Sequence, residues 1–364
     1  MRRTVITGIA CSSPVPGGVR ELAAAVSAGA PLGTLEVVGT LRGRSRELRV
    51  ARLAPFDREA VLPPNKLRRM DELSQVWTIA CLAARADAGL DGGGTAAVPP
   101  PERRATFFGT GFGCIGSTWD YLAALSTGGA AAANPFLFSE SVANAPAGHS
   151  AIELDACGPS CTLTCADASA AAAVATGMQA VECGRADVAY CGGAELLPPP
   201  LVRVLAAAGA PRFLGEGCAC LVLESLESAR ERGARVHAEI VRRASASDPS
   251  CPATGWSVDG ERMTGVLRRV ASGPARRTVR TVYLHASGSP PAEAAESGAA
   301  SSVFPEARAA RGAHVFGSMA AAGGFDVAFA AHEAATLRAD EATVAAAWAW
   351  GGALYSIMLS GPPS

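Results

Sequence analysis

The ten residues from Gly158 to Asp167, GPSCTLTCAD, gather two thiols and a carboxylate, with Cys157 just ahead of them. Thiols at this density suggest either a metal site or a nucleophile. The spacing Cys157–Cys161–Cys165, like the pair Cys218–Cys220, lacks the paired CxxC of a zinc site, and no histidine follows at ligand spacing. No metal is expected. Asp167 opens the small-residue run Ala168–Cys183, and by residue type alone it would cap a helix there. His285 ends the apolar stretch Thr281–His285, where a histidine serves as a core or capping group as readily as a catalytic one. Gly111–Gly116 spells GxGxxG after an apolar run, a pattern that in the right setting cradles a pyrophosphate. No other feature of the chain supports a dinucleotide, and no cofactor is expected.

The elements that must position these groups follow from periodicity. Val5–Ile9, Ala105–Phe108, Thr162–Thr164, Val188–Cys191, Gly217–Leu226, His237–Val241, Thr281–His285 and Leu354–Leu359 read as strands. The opening MRRTVITGIA has two arginines before an apolar run, but the run is short and breaks at Gly8, so it predicts a buried first strand rather than a secretion signal. Leu35–Leu53, mixed polar and apolar, reads as strands or a hairpin. Helices are predicted at Val19–Ala28, Met70–Ala88, Ser117–Ser126, Pro146–Leu154, Ala168–Cys183, Glu227–Arg232 and Gly323–Leu337, with a break at Ala244–Gly255. Strands alternating with helices predict an α/β fold with mainly parallel strands. The helix Ala168–Cys183 is built from such small residues that its neighbours must approach closely.

Bulk properties narrow the function. The 364 residues, 49% of them hydrophobic, suit one large two-lobed unit. A formal net charge of -1 without long charge runs speaks against nucleic-acid or membrane-surface binding, and no apolar stretch has the length to span a bilayer. Eleven cysteines, among them Cys81, Cys183 and Cys191 in apolar surroundings, predict buried free thiols and a reducing cytoplasm. Lys66 is the only lysine.

Several segments, in order, resemble the β-ketoacyl synthase family. VITGIACSSPVPGG is similar to its first strand and loop, and Arg68–Leu90 to its first long helix. FFGTGFGCIGSTWDYL (Phe107–Leu122) is similar to its second strand and glycine turn, and Asn134–Thr164 to its approach to the nucleophile. GRADVAYCGGAE (Gly184–Glu195), Leu214–Ile240 and WAWGGALYSIML (Trp348–Leu359) continue the match to the end of the chain. The resemblance implies a thiolase-type fold, two related α/β halves in a five-layer αβαβα arrangement, which we place at residues 1–235 and 236–364.

Condensation in this family needs a thiolate to accept an acyl chain and two donors, usually histidines, for the enolate and oxyanion. The resemblance puts the nucleophile position on Asp167, with Ser169 matching the serine two residues later. Cys165 and Cys161 fall on the strand side, off the helix start that activates a thiolate. His285 matches the first histidine, followed by Ser287 and Ser289 where threonines usually stand. The second histidine falls on Gly317, and His314 would need a register shift to replace it. The lysine that precedes this histidine in the family is absent, since Lys66 lies before the first long helix. Between Glu195 and Gly215 the chain is shorter than the family's excursion, which supplies part of the active-site rim.

No catalytic set is intact. The implied role is that of a chain length factor, a non-condensing subunit that pairs with an active ketosynthase as a heterodimer, meets acyl carrier protein through the complex and bounds the acyl tunnel. An acidic residue at the nucleophile position points toward polyene-type partner subunits. Phe112, Trp119, Phe136 and Phe138 are the candidate tunnel or interface residues, although by composition each also suits a plain core. The competing expectations are a malonyl-carrier-protein decarboxylase using Asp167 and His285, and a purely structural scaffold.

Overall fold

Runs that are apolar on both faces become the central strands, because only a strand covered on both sides needs no polar face. The computed structural model describes residues 1–363 apart from 40–42, 92–97, 210–212, 253–254, 274–276, 287 and 319–321. Ser287 therefore lies outside the described residues. The strands among the described residues are β1 (Thr4–Ser12), β2 (Thr34–Gly39), β3 (Ser45–Ala51), β4 (Arg104–Gly109), β5 (Ser160–Leu163), β6 (Val188–Glu195) and β7 (Phe213–Gly215). They continue with β8 (Gly217–Ser225), β9 (Ala238–Ser247), β10 (Thr278–Leu284), β11 (Arg308–Ala310), β12 (Glu341–Trp348) and β13 (Ala353–Ser360). Every residue of β6, β8 and β12 is buried.

Ten of these strands line up in the order β11-β10-β12-β13-β9-β1-β8-β6-β4-β5. The order contains one pattern twice. In one half, β5, β4 and β6 are parallel, β6 pairs antiparallel with β8, and β8 antiparallel with β1. In the other, β11, β10 and β12 are parallel, β12 pairs antiparallel with β13, and β13 antiparallel with β9. The halves meet where Thr4–Ile6 of β1 pairs with Ala238–Ile240 of β9. The expected hairpin is β2–β3, extended by β7 into a separate three-stranded sheet.

Helices complete five layers. Glu72–Asp87 and Ala145–Glu153 pack on the outer face of the first half, and Gly260–Ala271 and Pro290–Val303 cover the outer side of the second. Ser169–Glu182 and Ala322–Ala334 contact each other and strands of both halves, so they form the central layer. Close approach there is real: a Cβ on Gly109 would lie 2.3 Å from the carbonyl carbon of Ser169. The thiolase-type α/β fold is thus the observed one. Three details differ from the expectation. The strands are not mainly parallel: in the ten-stranded sheet five neighbouring pairs are antiparallel and four parallel, because links as short as the one from Trp348 to Ala353 return the next strand antiparallel rather than crossing over. β9 continues through Ser247, so the break begins later than Ala244, because Ser245–Ser247 pair with Ala353–Tyr355. Cys183 is exposed, since it ends its helix at the surface. No helix among the described residues is long and apolar enough to cross a membrane.

Candidate functional site

The chain leaves β5 at Leu163, passes through a short turn at Ala166–Ala168 and enters the helix Ser169–Glu182. Ala166 has φ +47°, a left-handed conformation that costs a residue with a Cβ about 1–2 kcal/mol. The turn is held by Ser169, whose Oγ accepts from the Cys165 N–H at 2.8 Å and lies 2.6 Å from Ala166 O. This sharp entry turns Asp167 inward, where it is 7% exposed.

Asp167 does not cap the helix. The N-cap is Ala168, with no side-chain cap bond, and the Asp167 carboxylate points away from the helix start toward the second half. Its Oδ1 accepts from Ser318 Oγ at 3.3 Å and lies 4.0 Å from His285 Nε2. Seen from residue types alone, an aspartate before a helix is a cap; here a cation and a hydroxyl across the interior compete for it and win.

His285 follows the C-terminal end of β10 and is 1% exposed. Its Nδ1 lies 3.0 Å from Asp326 Oδ2 on the central helix Ala322–Ala334. Burial alone would lower the imidazole pKa, but the flanking Asp167 and Asp326 carboxylates outweigh it and push it up to about 10. The two carboxylates thus favour the protonated ring, with Nδ1 paired to Asp326 and Nε2 facing Asp167 without a hydrogen-bond partner among the described residues. Its backbone is fixed as well: the His285 N–H donates to Glu296 Oε1 at 2.7 Å, and buried Glu296 is ion-paired with Arg311.

Gly317 also borders this site through Ser318, but with no room for a side chain. It sits at φ +88°, and its neighbour Ser318 bonds to both sides of Leu214: Ser318 N donates to Phe213 O, and Gly215 N donates to Ser318 O, each at 3.0 Å. His314 does not substitute. It is half-exposed and paired with Glu293 at 3.3 Å. Lys66 pairs with Glu153 at 2.7 Å. Cys165 is half-buried, and burial raises its thiol pKa against a bond from Tyr355 that lowers it, so it is no ready thiolate. Cys161 lies exposed on β5.

The glycine turn also serves this site. Glu195, fully buried at the end of β6, accepts from the Gly111 N–H at 2.7 Å and from Thr110 Oγ1 at 3.2 Å. Burial pushes its carboxyl up to about 8, against those bonds, which favour the ionised form. The amides that a dinucleotide phosphate would need are aimed at this carboxyl. Glu195 Oε1 has no partner among the described residues.

Between these groups lies a cavity of about 30 Å³, lined by Phe112, Asp167, Glu195, Leu205, Leu214 and Trp350 among others. That is the liquid volume of about one water, against the roughly 300 Å³ or more of a small-molecule pocket. Trp350 forms part of the wall. Its ring meets Trp256 edge-on at 6.4 Å, and Trp256 lies 6.1 Å from the His285 ring.

The four aromatic candidates are not plain core. Phe112, Trp119, Phe136 and Phe138 are 41%, 47%, 41% and 58% exposed. Leu122, Leu125, Val142 and Ile152, from the same stretch of chain, are exposed too, and β5 ends the sheet with Ser160 and Cys161 uncovered. Only Phe112 also reaches the small cavity.

Sequence reasoning passed over Asp326, Ser318, Glu195 and Trp350 as site residues. A signal existed for two of them: Asp326 is the lone acid within FDVAFAA, and Glu195 the lone acid ending the apolar run VAYCGGAE. Acids in such runs are buried with a partner or carry a perturbed pKa.

A family profile described as the N-terminal domain of β-ketoacyl synthases matches residues 1–229. The tetracenomycin polyketide synthase ketoacyl synthase alpha subunit of Streptomyces glaucescens is 30% identical over 318 residues, covering 79% of this chain and 72% of that protein. Nodulation protein E of Rhizobium sp. (strain N33) is 30% identical over 262 residues, covering 66% of this chain and 62% of that protein, so the chain spans less than two thirds of this relative. Among solved structures, a β-ketoacyl synthase from Burkholderia phymatum STM815 superposes with a TM-score of 0.83 at 21% identity, covering 100% of both chains. The ishigamide ketosynthase/chain length factor does so with a TM-score of 0.79 at 23% identity, again covering 100% of both. At these identities the two structures speak to the fold.

Proposed function

The chain belongs to the β-ketoacyl synthase family, and from that premise we propose that it is a non-condensing subunit, like a chain length factor, that pairs with an active ketosynthase and shapes its acyl-chain tunnel. One observation carries the reading. At the turn where the resemblance puts the nucleophile, Asp167 is engaged with Ser318 and the His285 imidazolium beside a cavity of about 30 Å³. A carboxylate is a poor acyl acceptor from a thioester, and an acyl chain does not fit that space.

Two features support the pairing. The uncovered edge of β5 and the apolar residues from Phe112 to Ile152 form the kind of surface that a partner buries. A similar fold is found in the ishigamide ketosynthase/chain length factor, and another in a type II polyketide synthase acyl carrier protein in complex with its ketosynthase bound to the hexaketide. Acyl carrier protein would then meet this subunit through the complex. A polyene-type product is the finer form of the reading, and the two functional halves are placed at residues 1–235 and 236–364.

The test is co-expression with an intact ketosynthase. Co-purification of the pair, condensing activity only when both are present, and a change in product length on shortening Phe112, Trp119, Phe136 or Phe138 to Ala are expected. Malonyl-carrier-protein decarboxylation or acylation by the isolated chain overturns the proposal.

A further inference from the structure

A second cleft, of about 530 Å³, opens on the outer side of the second half. Arg242 of β9, Arg268 of the helix Gly260–Ala271 and Arg277 just before β10 line it, and no Asp or Glu does. Among the described residues, none of the three forms an ion pair. The neighbouring Arg243 shows the usual alternative, an ion pair with Glu182 at 2.6 Å. Among the described residues, no acid is paired with the three charges that line this concavity.

Their placement goes beyond a solvated basic surface. Arg242 and Arg277 are half-buried, and Arg277 Nε is shut off from water with no acceptor. Arg268 stands in the last turn of its helix, where a cation complements the C-terminal carbonyls. That accounts for Arg268 but not for Arg242 on a strand or Arg277 in a loop. Val270, Val303, Phe304 and Met358 supply an apolar wall beside the three guanidinium groups.

We infer that this cleft binds a small dianionic ligand, a phosphate monoester carrying an apolar arm. Guanidinium forks match the phosphate oxygens, and the apolar wall takes the arm. The site is separate from the Asp167 cavity. Arg277 immediately precedes β10 and His285 immediately follows it, which places them on the order of 25 Å apart along an extended strand. The inference does not depend on the proposed function.

Titration calorimetry of the full chain at fixed ionic strength tests it, with octyl phosphate, octyl sulfate and inorganic phosphate as probes. Octyl phosphate should bind at least about tenfold more tightly than either of the others. The Arg242→Gln/Arg277→Gln variant should weaken octyl phosphate at least about tenfold, whereas Arg203→Gln, at an exposed position of the helix Pro199–Ala208, should leave it unchanged. Thermal unfolding shows that the Gln/Gln variant remains folded. Failure of the wild-type chain to bind octyl phosphate, equal binding of phosphate and sulfate esters, or unchanged affinity in the folded Gln/Gln variant overturns the inference.

Discussion

A Cβ on Gly317 would lie 2.5 Å from the carbonyl carbon of Leu214. The residue is also in the left-handed region, at φ +88°. The position where the resemblance expects a second histidine is therefore closed to any side chain by the neighbouring backbone, and rebuilding the ketosynthase set is not a matter of exchanging side chains. Gly317→His, alone or with Asp167→Cys, should cost at least about 2 kcal/mol in urea denaturation and yield no condensing activity. A stable double variant that extends a malonyl unit contradicts this account.

The His285 imidazolium makes stability depend on pH. Its folded pKa, about 10, lies above the unfolded value near 6.5. The native state then holds the extra proton between those values. The stabilisation is complete below about pH 6.5 and is lost as pH rises toward 10, at no more than about 1.4 kcal/mol per pH unit. Glu195, folded near 8 and unfolded near 4.5, acts in the same direction over pH 4.5–8. Urea midpoints should fall from pH 5 to 10. Glu195→Gln should flatten the lower part of the curve, and Asp326→Asn should shift the upper part to lower pH. Midpoints independent of pH would refute both assignments.

Asp326 holds His285 from the side opposite Asp167, and neither carboxylate is solvated. Removing one partner of a buried pair costs about 3–5 kcal/mol, and here His285 would lose its hydrogen-bonded carboxylate and keep only Asp167 at 4.0 Å. Asp326→Ala should show a loss of this size in denaturant unfolding at pH 7. His285→Asn/Asp326→Asn, which removes the charges of both, should recover a good part of it. Equal losses in the two variants would mean the pair is not coupled.

Phe138 is 58% exposed and packs its ring 5.6 Å from Tyr121. Phe138→Asp should leave the isolated chain stable to within about 0.5 kcal/mol, as exposed positions generally do. The same substitution should abolish co-purification with a ketosynthase partner, since it places a charge in the surface that pairing would cover. Retained co-purification would move the interface elsewhere.

Much of the fold was legible because strand and helix signals agreed. The two-sided apolar runs of β6 and β8 and the small-residue helix Ser169–Glu182 announce a layered α/β protein. β12, with the sequence EATVAAAW, was not legible, because alanines carry little strand preference and only its place between β10 and β13 fixes it. Helix Gly260–Ala271 could have been read from the spacing of Met263, Val266, Leu267 and Val270. At the site, local chemistry made Asp167 look like a cap, and only the fold shows that Ser318, 151 residues away, and His285 claim it. Long-range pairing of this kind has no local sequence signature.

Asp167 follows β5 of the first half, His285 follows β10 of the second, and Asp326 reaches His285 from the central helix Ala322–Ala334. In the plane of the sheet the halves are stitched by three facing residue pairs, Thr4–Ile6 against Ala238–Ile240. An aspartate, an imidazolium and a second aspartate in a row thus work as a clasp across the middle of the molecule. The row thus carries a mechanical duty, and its loss would be felt as slackness between the lobes.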